Sequence, residues 1–140
     1  MSDGLNQAFV KQQQQLETLK LTLETELSLI SARNPDALIK LLEEKEQLLN
    51  DIAEQDQVIA NLYQQTSPDE KDIQPAIDLI EHLLAECRYR TEINQTAVEQ
   101  GQLRLAHLRN VIVESRAKES MTYDKAGHTR SGGKGKGVSA

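Results

Sequence analysis

From Leu5 onward the apolar residues advance by threes and fours. Leu5, Phe9, Leu16, Leu19, Leu23, Leu27 and Ile30 fall on one stripe, with Gln12 filling the gap between Phe9 and Leu16. That spacing keeps side chains on one face of an α-helix and predicts a first helix over residues 5–32. Asn34-Pro35-Asp36 then reads as a helix start: Asn at the cap, Pro at the first helical position, Asp near the positive end of the dipole. So short a connection predicts an antiparallel hairpin. The second helix carries Leu38, Leu41, Lys45, Leu48, Ile52, Gln55, Ile59 and Leu62, a heptad seam with two polar interruptions. Leu42, Leu49 and Tyr63 widen the stripe, which suits a bundle. Ser67 with Glu70 has the pattern of a capping box around Pro68. Pro75 is expected to end a single turn near Lys71, with Asp72 capping the next helix.

The third helix keeps its rhythm through Ile77, Ile80, Leu84, Cys87, Thr91, Asn94, Val98, Gly101, Leu105, Leu108 and Ile112. If it continues to Glu119 it spans about 68 Å, against about 40–45 Å for each of the first two. An antiparallel stack then covers it only as far as Leu103. Leu103, Leu105, Leu108, Val111, Ile112 and Val113 are left without a partner. Two outcomes follow. The strip stays bare and awaits a binding partner, or the helix breaks near Gln100-Gly101 and folds back to complete a four-helix bundle.

Composition agrees with an all-α chain. Of 140 residues 38% are hydrophobic and 3% aromatic, so the core must be aliphatic, and 19 Leu and 14 Gln against three Pro favour long helices over sheets. The longest stretch without a charge, Gln57 to Pro68, is twelve residues and largely polar, so no bilayer span is expected. The N-terminus lacks the pattern of a secretion signal. One cysteine, Cys87, excludes an internal disulfide and a cysteine zinc cluster, and points to a reducing cytoplasmic setting. Residues 1–115 hold 10 Lys+Arg and 20 Asp+Glu, whereas residues 116–140 hold 6 and 2. The acidic body discourages nucleic-acid binding. We expect a helical domain over residues 1–120 and a flexible tail over residues 121–140.

Catalytic patterns are nearly absent. Leu79, Arg104 and Lys125 stand three before His82, His107 and His128, so no Glu-x-x-His pair exists for a di-metal bundle. Cys87 on a seam reads as an inert buried thiol. Gly132-Gly133-Lys134-Gly135-Lys136-Gly137 lacks phosphate-loop spacing. No enzyme, metal or cofactor is expected. Lys45, Gln55, Thr91 and Asn94 interrupt the seams, either to fix register or because they reach water at a bundle edge. Tyr123, one of four aromatic residues, stands in a segment too polar to bury it, where it could anchor in a partner pocket.

Residues 5–128 resemble the FlgN-type flagellar type III export chaperones. The likeness is carried by Leu38 to Leu49 with Lys45-Glu46-Gln47-Leu48-Leu49, by the order and length of the helices, and by Tyr123-Asp124-x-x-Gly127. It implies a cytoplasmic, non-enzymatic chaperone. Such proteins bind the C-terminal segments of the hook-filament junction proteins FlgK and FlgL, prevent their premature assembly, and escort them to the export gate. By the same resemblance, residues 103–113 would take the cargo and Tyr123 would dock to the gate protein FlhA. The alternative, from the residues alone, is a structural coiled-coil protein that self-associates, as a homodimer for instance, through its third helix.

Overall fold

The computed structural model describes residues 2–127, with side chains from Asp3 to Glu119. Three helices follow in order: α1 Ser2–Ala32, α2 Pro35–Thr66 and α3 Glu70–Gly127. The all-α prediction holds, and no strand occurs among the described residues. The chain forms two compact units, one ending at Ala97 and the other beginning at Val98. The glycine–lysine stretch and His128 lie outside the described residues.

In the first unit each helix end is set by local hydrogen bonding. Arg33 adopts a left-handed backbone (φ 55°). Its N–H donates to the Ile30 carbonyl at 3.3 Å, and the Asn34 N–H donates to the Leu29 carbonyl at 3.2 Å. Those two bonds satisfy carbonyls that the end of a helix leaves orphaned. Asn34 then opens α2 as expected: its Oδ1 accepts from the Ala37 N–H at 3.3 Å, with Pro35 first in the helix.

The second boundary differs from the sequence pattern. Ser67 is left-handed (φ 42°, ψ 60°) and its N–H donates to the Tyr63 carbonyl, so it closes α2. A residue so placed lacks the extended conformation an N-cap needs, and the capping box does not form. Asp69 caps α3 instead, its Oδ1 accepting from the Lys71 N–H at 3.1 Å. Nor does Pro75 divide the helix. It sits inside α3, where its missing N–H deprives only the Lys71 carbonyl; both residues are exposed, so water can replace that bond.

Cross-helix bonds fix the directions. Gln55 Nε2 donates to the Ala8 carbonyl at 2.9 Å, and Lys45 pairs with Glu26 at 2.7 Å, so α2 runs antiparallel to α1. Cys87 Sγ donates to the Leu16 carbonyl and Asn94 Nδ2 to the Leu23 carbonyl. Both pairs are 71 residues apart, so α3 runs parallel to α1 through this unit. Between the helices lie Leu5, Phe9, Leu16, Leu19, Leu23, Ile52, Ile73, Ile80, Leu83 and Cys87, with Leu48, Ile59, Leu62, Ile77 and Leu84 packed around them. Each aliphatic side chain buried there contributes about 1.5–3 kcal/mol before chain entropy.

Polar seam positions are tied in rather than left to solvent. Glu26, 6% exposed, is the buried residue of the α1 seam beyond Leu23, with the expected Leu27 and Ile30 half-buried near it. One carboxylate oxygen accepts from Lys45 Nζ of α2 at 2.7 Å. The other accepts from Asn94 Nδ2 of α3 at 2.6 Å. Gln12 likewise donates to Asp56. Lys45, Gln55 and Asn94 therefore hold specific partners across the interface, as the register reading requires. Thr91 does not: its hydroxyl donates to the Cys87 carbonyl of its own helix.

Candidate functional site

Within α3, glycine at position 101 brings no break. Gly101 has no positive φ, and a Cβ built on it would meet nothing within 4 Å. The fold-back alternative required the helix to end here; α3 is continuous to Gly127. Glycine costs a helix about 1 kcal/mol relative to alanine, a penalty that the uninterrupted helix absorbs. Nor does the helix stop near Glu119. No Pro or Gly intervenes until Gly127, a residue type that suits a helix end.

The second unit, in its described part, is the continuation of this helix. Its large apolar side chains face water: Leu103 is 70% exposed, Leu105 57%, Leu108 54%, Val111 45% and Ile112 41%. Val113 is half-buried. Consecutive helical residues are about 100° apart, and this decides which of the six act together. Leu105, Leu108 and Ile112 step by three and four and share one stripe with Val98. Val111 borders it, Val113 lies toward the other side, and Leu103, two residues before Leu105, projects from the opposite face. The expected six-residue strip narrows to a seam of the heptad kind.

Other candidate positions are accounted for inside the first unit. Cys87 is 5% exposed, and burial pushes its thiol above the ordinary value, the opposite of a reactive cysteine. His82 stands 3.7 Å from Glu86 on its own helix. The Glu86 carboxyl is held below the usual range, first by its contact with Lys20 at 2.8 Å. Among the described residues no group of three or more His, Cys, Asp or Glu could hold a metal ion. No helix among them is long and apolar enough to cross a membrane. Tyr123 falls within the helical span of α3, its side chain outside the described residues.

The sequence pattern did not single out Glu26, whose charge hid its seam position, or Ile73, which precedes the proline expected to interrupt the helix. The polar interruptions at Lys45 and Asn94 were the available signal, since buried polar groups need partners. Compared with known proteins, the chain matches the family model described as FlgN protein over residues 1–131. No curated protein and no solved structure gives a significant match.

Proposed function

Because the chain belongs to the FlgN family of flagellar export chaperones, we propose that it is a cytoplasmic chaperone that holds the C-terminal segments of the junction proteins FlgK and FlgL and delivers them to the export gate. The observation that supports this most is the row of apolar side chains on distal α3, with Leu105, Leu108 and Ile112 each 41–57% exposed. A client helix laid along that seam buries apolar surface on both partners, at about 25 cal/mol per Å². Part of that gain offsets the ordering of the client segment, so affinity stays moderate and release at the gate stays open. Holding requires no bond making, nucleotide or metal.

Tyr123, beyond the seam, is the residue for docking to FlhA. A tyrosine brings large contact area and a hydroxyl at low entropy cost, which suits an anchor. The test co-expresses the chain with each junction protein and isolates the complex by size exclusion. Replacing Leu105, Leu108 and Ile112 together by serine should abolish co-elution while the circular dichroism stays helical. Undiminished co-elution of both clients would reject the reading. Tyr123→Ala should retain client binding and weaken gate docking; equal affinity of variant and parent for the cytoplasmic part of FlhA would reject that role.

A further inference from the structure

The charges on distal α3 are arranged about its seam. Continuing the heptad of Val98, Leu105, Leu108 and Ile112 places Arg109 and Arg116 along one edge and Arg104 and Lys118 along the other. These are the four basic residues of positions 98–119, and all four are exposed. The three acidic residues of the same span avoid the edges: Glu99 and Glu114 project from the far side, and Glu119 ends the seam. In a chain of net charge −6, whose basic residues are outnumbered 22 to 16, an apolar seam whose charged border residues are all cations, with Gln102 and Val111 between them, is a local reversal. Residues bordering a seam set partner choice through charge pairing across the interface.

We propose that distal α3 selects an acidic amphipathic helix, one carrying Asp or Glu at the positions that flank its own apolar seam. This rests on the reading of that face as the client site and adds the chemistry of its occupant. Leu105, Leu108 and Ile112 supply area without discrimination. The four cations repel basic helices and pair with acidic ones, and the pairing weakens as salt screens it.

Two synthetic amphipathic peptides with one apolar seam and one length, flanked by Glu in the first and Lys in the second, test this by calorimetric titration into the full chain. The Glu-flanked peptide should bind at least about tenfold more tightly at low ionic strength, from a few-fold per flanking pair. The difference should collapse at high salt. The double variant Arg109→Glu/Arg116→Glu should reverse the preference while its circular dichroism stays helical. Equal affinity for both peptides, a difference indifferent to salt, or binding of neither overturns the proposal. A chain that binds neither yet self-associates assigns the face to a second copy. Capture of FlgK and FlgL segments without charge preference sinks this proposal and leaves the chaperone reading intact. Preference for the Glu-flanked peptide with no capture of either junction protein does the reverse.

Discussion

Arg33 and Ser67 are the two non-glycine residues with positive φ among the described residues, and each closes a helix. A left-handed backbone costs an L-residue roughly 1–2 kcal/mol, which glycine avoids at the expense of unfolded-chain entropy. Arg33→Gly should therefore stabilise the first unit by about 0.5–1 kcal/mol. Urea denaturation checks it: the midpoint rises and the slope is unchanged. At Glu86 the sign of the pH effect is set by its contact with Lys20. A carboxyl whose folded value is depressed stabilises the fold fully above its unfolded value, near 4.5, and that contribution fades as pH falls through the folded value. Glu86→Gln should flatten the acid limb of stability against pH. An identical acid limb in the variant would show the pair to be neutral. For Cys87, burial and the raised thiol predict alkylation at neutral pH much slower than in urea-unfolded chain; equal rates would contradict the buried position.

At the scale of elements, three helices are joined by one carboxylate. Removing Glu26 alone, as Glu26→Leu, strands the Lys45 ammonium and the Asn94 amide, with an expected loss of about 1–3 kcal/mol. Replacing all three by leucine removes the stranded groups and should restore most of that stability, with less uniqueness of register. Denaturation of the single and triple variants, with size exclusion for mixed association states, decides the matter. The helices themselves were legible because their seams repeat: Leu5, Phe9, Leu16, Leu19 and Leu23 are all buried where periodicity put them. Asn34-Pro35 was legible because cap chemistry is local. What escaped depends on neighbours. Leu83 and Leu84 are adjacent, and it is Leu83 that enters the buried cluster while Leu84 packs against it half-buried. Ser67 and Asp69 both can cap, and the left-handed turn at Ser67 left that role to Asp69. On distal α3 the six apolar residues were visible, but their division between faces emerges only once the helix is known to run unbroken through Gly101.

For the whole molecule, the governing quantity is length. α3 has 58 residues against 31 for α1 and 32 for α2. Two shorter helices cannot pair with all of a helix that long, and the chain places an apolar seam in the excess. The chain belongs to the FlgN family, and the use we propose for that seam is the capture of export clients. The first unit supplies a scaffold tied by cross-helix hydrogen bonds. The second presents exposed apolar side chains, and we propose a client helix as their cover.

The central claim, that distal α3 is sheltered by a client and not by its own chain, is tested most directly by amide hydrogen exchange across residues 98–119. A helix with few buried apolar contacts opens at low free energy and exchanges fast. In the free chain these amides should exchange far faster than those of the core residues Leu83 and Cys87, and saturating FlgK or FlgL C-terminal segment should slow them selectively. Protection equal to the core in the free chain, or no change on adding either segment, would contradict the account.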